Sequence, residues 1–447
     1  MLKNNKNKFK IKFGTLFFIL FITPVSLYAI DLNNNQAIYD LDTLLKIATL
    51  HSDVVKDKFE DNNLAKAYRD IAKSALLPQL STYVSYSKFW KETMEQPKWA
   101  GSWGVKISQS FTLNGKEIIY YRISEYNRKK TYHELWRLTE TYLFYIVQYY
   151  YAVLKAQKAI EITNANVKRL LRHKEAVKDR LKVNEISKTA LYRTEAELSD
   201  ARTEKTKAIN DHRIARASLA RFVCIPNTYT VKEPEDITIP SKSLDQWVTQ
   251  GLNNRSEIMA LSITEQMARD QISVAKGNYW PSISFEGHYY DSEDSFKEDP
   301  DYNISGTVML NYSFFDGGRR KAEVTQATIE KKRLRYIIQN QTREIALEIE
   351  TAFLELNTHL SVFQSLKDQL KYSEENFDAV SSQFKFGMAN SVDVMDANTL
   401  LLTSERKLAD AKYNIQLARI KMDYASGIFL RDLARRTHIK YEDLGAK

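Results

Sequence analysis

Ile283-Ser284-Phe285-Glu286-Gly287-His288-Tyr289 and, beyond an acidic loop from Asp291 to Asp301, Ile304-Ser305-Gly306-Thr307-Val308-Met309-Leu310-Asn311-Tyr312-Ser313-Phe314 are the stretch that decides the fold. Ile283, Phe285 and Tyr289 fall on one face, with Ser284, Glu286 and His288 on the other; Ile304, Val308, Leu310, Tyr312 and Phe314 likewise oppose Ser305, Thr307, Asn311 and Ser313. A period of two sustained over about ten residues, with aromatics near the ends, fits a transmembrane β-strand that is apolar towards lipid and polar inside. A soluble hairpin lying on a core has the same signature, and for one hairpin the two readings are balanced. The pattern occurs twice, however. After Pro78, Leu80, Thr82, Val84 and Tyr86 alternate with Ser81, Tyr83, Ser85 and Ser87, and after a polar loop Trp103, Val105 and Ile107 alternate with Gly104, Lys106 and Ser108. Two hairpins at equivalent places in a repeat favour the membrane.

The repeat has a constant offset of 203 residues. It aligns Leu41-Asp42 with Leu244-Asp245, Ala72-Lys73 with Ala275-Lys276, Pro78 with Pro281, Ser110-Phe111 with Ser313-Phe314, Gly115 with Gly318 and Lys182 with Lys385. Punctuating Pro and Gly residues recurring at one offset mark two homologous halves, roughly 38–225 and 241–428. Between Lys116 and Ile225 there is neither Gly nor Pro, and between Arg319 and Ser426 only Gly387. Such uninterrupted segments exceed ordinary globular helices and predict coiled-coil packing; 116–183 as one helix extends about 100 Å. Val394, Ala397, Leu401, Ser404, Leu408, Ala411, Ile415, Ala418, Met422 and Ala425 recur at alternating spacings of three and four, a heptad seam of large and small residues. The first-half seam is less regular, with Lys205 and His212 on it. An ordinary coiled-coil rod explains the seam equally well, and the hairpins are what argue against it.

Only 13 Gly and 8 Pro in 447 residues, with 43% hydrophobic and 27% charged, make a helix-rich chain that is neither collagenous nor disordered. The net charge of +9 is partly a leader: Lys3, Lys6, Lys8, Lys10 and Lys12 precede an apolar run from Phe13 to Ile22 and a small residue at Ala29, the order of a secretory signal peptide. Removing 1–29, with five Lys and no acid, leaves +4, and nucleic acid is not an expected partner. One cysteine, Cys224, excludes an internal disulfide and Cys-rich metal frames; at the repeat position of Gly427 it is expected to be a small buried residue at a helix end. The seven His show no metal-ligand spacing, and no nucleophile elbow or phosphate-binding loop is present, so the expectation is no catalytic site, no metal and no cofactor. His288 reads as a lumen-facing polar residue.

Four strands cannot enclose a water-filled interior, yet hydrocarbon tolerates no open sheet edge. The chain therefore has to oligomerise: two copies give eight strands and a filled interior, whereas three give twelve and leave a lumen.

Here the sequence resembles a known family, the TolC-like outer membrane efflux proteins of Gram-negative bacteria. The carrying residues are Ala72-Lys73 with Leu77-Pro78-Gln79-Leu80-Ser81, their partners Ala275-Lys276 with Trp280-Pro281-Ser282-Ile283-Ser284, the strand-to-helix signature Tyr312-Ser313-Phe314-Phe315-Asp316-Gly317-Gly318-Arg319, and the turn Phe386-Gly387 with Ser391-Val392-Asp393-Val394-Met395-Asp396-Ala397. The resemblance covers about 40–428. It implies a mainly α chain with a transmembrane β-barrel portion, built from duplicated helix, β-hairpin, long helix, turn and long helix. Three copies would form a twelve-stranded barrel in outer-membrane lipid, continuous with a long periplasmic α-helical barrel. The expected organisation is a signal peptide at 1–29 and a first repeat at 30–225, with hairpin about 79–113 and helices about 116–183 and 188–225. A linker at 226–240 follows, then a second repeat at 241–428, with hairpin about 282–315 and helices about 319–386 and 391–427, and a periplasmic tail at 429–447. Pro226–Pro240 and Arg431–Lys447, which break the repeat, are expected in a belt around the helical barrel.

The resemblance also implies a passive exit duct rather than an enzyme, docking at its periplasmic tip with an adaptor protein and an inner-membrane transporter. Contact candidates at that tip are Val183, Asn184 and Glu185 in one turn and Phe386, Gly387 and Met388 in the other. A helix reversal commonly needs a left-handed residue, which Gly387 supplies cheaply and Asn184 next most readily. Family members narrow the entrance with aspartates at positions matched by Asp393 and Asp396, while Ala389 stands where some relatives carry a latching arginine. The first-half equivalents of the two aspartates are Ala190 and Arg193, so three Arg193 and three Asp396 could alternate around the entrance of a trimer. The competing reading is a periplasmic or surface coiled-coil structural protein without channel activity. Neither reading names the transported substrate.

Overall fold

The structure, a computed structural model, describes residues 37–234, 242–296 and 301–437. The expected signal peptide lies outside the described residues, as do 235–240 and 438–447 of the expected belt segments. In order, the elements are β1 (Ala37–Tyr39), α1 (Leu41–His51), α2 (Asp53–Ser74), β2 (Gln79–Lys88), β3 (Trp99–Thr112), α3 (Lys116–Lys182), α4 (Lys188–Val223) and β4 (Tyr229–Val231). There follow α5 (Leu244–Asn254), α6 (Ser256–Gly277), β5 (Ser282–Asp294), β6 (Asp301–Asn311), α7 (Arg319–Lys385), α8 (Ser391–Ala425) and α9 (Phe429–Thr437).

The starts of α1, α2, α3 and α4 recur at the same 203-residue offset in α5, α6, α7 and α8, and α3 and α7 are both 67 residues long. Each therefore extends about 100 Å at 1.5 Å per residue. Both begin after a left-handed glycine, Gly115 (φ 71°) and Gly318 (φ 91°), which lets the chain turn from strand into helix. The orphan amides of these turns are satisfied differently. The Asp316 carboxylate accepts from the Gly318 and Arg320 amides at 3.1 Å each, whereas Glu117 reaches back to the amide and hydroxyl of Thr112 at 3.0 and 2.8 Å.

Along α8 the heptad seam is interior: Val394, Ala397, Leu401, Ser404, Ala411, Ala418, Met422 and Ala425 are buried, and Leu408 and Ile415 half-buried. The largest core lies midway along the long helices, where Leu143, Ile146, Val147 and Tyr150 of α3 meet Leu44 and Leu45 of α1, Leu219 and Val223 of α4, and Phe429 and Leu433 of α9. The parallel pair β1–β4 closes this region. β4 lies in the segment expected between the repeats, and β1 at the very start of the first. Beside the core, the buried Arg255 donates to Glu257 (2.9 Å), Glu348 (2.7 Å) and the Ala425 carbonyl (3.1 Å), joining α6, α7 and α8.

The four long strands form one antiparallel sheet in the order β2-β3-β5-β6. The register sets Leu80 against Ile107, Val84 against Trp103, Phe111 against Ile283, Val105 against Tyr289, Phe285 against Val308 and Ile283 against Leu310. The apolar sets of all four strands therefore share one face, with the serines, Lys106, Glu286 and His288 on the other. Leu80, Val84, Ile304 and Val308 are 68–82% exposed, so no part of the described chain covers the apolar face. This removes the reading of two soluble hairpins lying on a core. The outer edges of β2 and β6 have no strand partner among the described residues. No described helix is long and apolar enough to cross a membrane.

One expectation fails. Cys224 ends α4 in a left-handed conformation (φ 61°), as Gly427 follows α8 (φ 68°), but its side chain is exposed, not buried. The equivalence in backbone is real; Gly427 packs against Asn254 and Arg255, whereas the Cys224 thiol points away from its own core.

Candidate functional site

The two helix reversals lie at the end of the long helices remote from the sheet and share one geometry. Asn184 (φ 60°) and Gly387 (φ 78°) are left-handed, and the following amides reach back five residues, Glu185 to the Arg180 carbonyl at 3.0 Å and Met388 to the Gln383 carbonyl at 2.9 Å. This is a Schellman-type ending, which needs a residue tolerant of positive φ. The next helix starts differently in each. Ser187 makes no side-chain cap, whereas Asn390 accepts from the amides of Val392 (2.7 Å) and Asp393 (3.0 Å) while Asp393 accepts from the Asn390 amide at 2.9 Å, a reciprocal capping box.

Arg180, absent from the sequence-based candidates, ties the turns together. Its Nε donates to Glu185 at 2.9 Å, its Nη1 donates to the Phe384 carbonyl at 2.9 Å, and its guanidinium lies 4.8 Å from the Phe384 ring centre. Phe384 is buried with Val177 and Val394, with Ala389 packed alongside. The available signal was an arginine in the last turn of α3 ahead of Glu185; the offset concealed it, because position 383 is Gln.

Behind this plug α3 and α8 meet through polar groups. His173 Nε2 lies 2.9 Å from the Ser391 hydroxyl, which is 3.4 Å from that of Thr194. Burial drives the His173 imidazole down to about 4, so it is neutral at physiological pH. Further along, Asn398 donates to Asn166 at 2.8 Å, and Arg169 grips Glu405 with two bonds of 2.9 and 2.8 Å. These partners are 197–236 residues apart in sequence, so no local pattern could reveal them.

The structure places the named candidates as follows. Val183, Phe386 and Met388 present exposed apolar side chains, 63–78% accessible, at the two turns. Asp393 and Asp396 are exposed on the first turns of α8, Asp393 with the capping role above. Arg193 is exposed on α4, and no ion pair joins it to either aspartate within the described residues of one chain. Chemically, the tip offers an apolar rim around a well-packed plug, with carboxylates beside it. No group of His, Cys, Asp and Glu suited to a metal ion occurs among the described residues.

Comparison with known proteins agrees with this architecture. Residues 247–427 match the family model described as outer membrane efflux protein. The chain is 20% identical to the outer membrane protein TolC of Salmonella enteritidis, over 62% of this chain and 59% of that protein. It is also 20% identical to TolC of Vibrio cholerae, over 80% of this chain and 83% of that protein. Among solved structures, the Campylobacter jejuni CmeC outer membrane channel superposes with a TM-score of 0.77 at 16% identity, covering 90% of this chain and 89% of that one. With the duplicated long helices, the two-faced sheet and the paired turns, these matches make the chain similar in sequence and fold to the TolC-like outer membrane efflux proteins.

Proposed function

We propose that the protein is the outer-membrane exit duct of an efflux pump or type I secretion system, a passive channel energised by its inner-membrane transporter. The observation that carries this reading is the uncovered apolar face shared by all four strands, bounded by two unpaired edges. That face fits lipid, and the edges have to be paired if it lies there. A coiled-coil rod gives neither feature a role.

The internal offset supplies the pairing. Adding 203 to β3 gives the β6 stretch and subtracting 203 from β5 gives β2, so the β3–β5 seam within one chain is the template for a seam between β6 and the β2 of a second copy. Ile107 faces Gly287 and Val105 faces Tyr289; the corresponding intermolecular pairs are Leu310 with Val84 and Val308 with Tyr86. Both pairs put apolar side chains on the lipid side. Tyr312 and Phe314, 51% and 86% exposed beyond the end of β6, correspond to Gln109 and Phe111, which pair with β5. Three copies close such a sheet with a lumen.

In this assembly Val183, Asn184, Glu185, Phe386, Gly387 and Met388 form the docking rim for the periplasmic adaptor, and Asp393, Asp396 and Arg193 line the entrance. The two homologous halves, a cleaved 1–29 and a belt from the repeat-breaking segments complete the proposal. Planar-bilayer recording of the detergent-purified oligomer tests it: discrete ion-conducting steps support the duct, and a detergent-free soluble monomer that leaves the film silent overturns it.

A further inference from the structure

The polar face of the sheet carries very few charges. From the helix end of the sheet up to the level of Tyr290, Lys106, Glu286 and His288 supply every carboxylate, amine and imidazole on that face; the rest are Ser, Thr, Asn, Gln, Tyr, Gly and Met side chains. The three are joined. Lys106 Nζ lies 3.0 Å from one oxygen of Glu286, His288 Nε2 lies 3.2 Å from the other, and Lys106 and His288 are directly paired across β3 and β5. The groups around His288 on this face are otherwise uncharged: Tyr290 on its own strand, Gly104 on β3, and Asn303, Ser305 and Thr307 on β6. An added Cβ at Gly104 would stand 2.6 Å from the Tyr289 carbonyl oxygen and 2.8 Å from the Tyr83 ring. The positions 203 residues away are Met309, Tyr83 and Ser85, so the charges mark only the seam within a chain, and a trimer would carry three such clusters separated by neutral sectors.

We propose that Lys106, Glu286 and His288 form a charge-balanced girdle that sets the ion selectivity of the duct's outer-membrane section. The inference rests on the channel reading above. Lys106 and Glu286 offset one another, so removing either leaves three charges of one sign, one per chain, in an otherwise neutral section. A low-dielectric wall focuses such charges into the lumen, and their reach grows from about 10 Å at 0.1 M salt to about 30 Å at 0.01 M. Asp393 and Asp396 lie about 100 Å away along the long helices, so substitutions in the girdle leave that end unchanged.

Reversal potentials of the purified trimer under a dilute potassium chloride gradient test this. At pH 7.5, Lys106→Gln is expected to shift selectivity towards potassium and Glu286→Gln towards chloride, with the double variant returning towards wild type. Trimer mobility before and after heating shows that each variant is assembled. Assembled, conducting Lys106→Gln and Glu286→Gln variants whose reversal potentials both match wild type overturn the girdle while leaving the duct standing. Failure of every form, wild type included, to conduct overturns the duct and the girdle with it.

Discussion

Arg180 donates to the Phe384 carbonyl at 2.9 Å, so a side chain from the end of α3 closes the end of α7, 204 residues later. The Phe384 carbonyl also accepts from the Gly387 amide at 3.1 Å, so the arginine adds to the turn's own bond and couples it to the turn at the end of α3. Hydrogen bonds from charged groups contribute about 1.5–3 kcal/mol, while the pair with the exposed Glu185 adds about 0–1 kcal/mol. Arg180→Ala should speed amide exchange at 183–185 and 386–388 while leaving the mid-helix core unchanged. Equal exchange in both proteins would mean the bridge does not hold the tip.

Gly387 tests the backbone geometry of the same turn. A Cβ there would meet only the Arg180 guanidinium, at 3.7 Å, so the cost of Gly387→Ala is conformational rather than steric. A left-handed alanine costs about 1–2 kcal/mol, and Gly387→Asn should cost less, as Asn184 already occupies the matching position (φ 60°). Amide exchange across 383–390 in the three proteins should rank Gly slowest, Asn next and Ala fastest.

How much of this was legible beforehand follows the range of the interactions. Strand alternation and the breaker-free helices are local patterns, and the offset of 203 converts a weak signal into two concordant ones. Asn184 and Gly387 were readable because a helix reversal constrains φ at one residue. Arg180, His173 and Arg169 were not, since each acquires its partner only when α3 packs against α7 or α8. Cys224 shows the converse: the repeat correctly placed it at a helix end, but burial depends on what packs against that end, and there the halves differ.

His173 gives stability a pH dependence of definite sign. Its folded-state value is pushed down to about 4 by burial, so between there and the ordinary histidine range the unfolded chain binds the extra proton. Stability should rise with pH across that window and fall on acidification. His173→Gln keeps a polar contact for Ser391 and should flatten the slope; thermal unfolding of the assembled protein between pH 4 and 7 reads the difference.

Glu140 should act in the opposite sense. It is 1% exposed, and burial pushes its carboxyl up to about 7 against the pull of Arg137 and Arg255. The folded protein therefore holds a proton that the unfolded chain releases near the ordinary carboxylate range. The stability it contributes is complete at low pH and is lost as pH rises through about 7. Glu140→Gln should remove this loss, so that its unfolding temperature exceeds that of the wild type most clearly at pH 8.

The central claim is that one chain's β6 completes its sheet on the β2 of another, three times around. Leu310→Cys combined with Val84→Cys, in a Cys224→Ser background that removes the exposed native thiol, tests it by oxidation in isolated outer membranes. The account predicts a product at three chain masses under denaturing, non-reducing conditions, with two-chain and one-chain species as intermediates. A ladder stopping at two, one running past three, or no product beyond a single chain would contradict it.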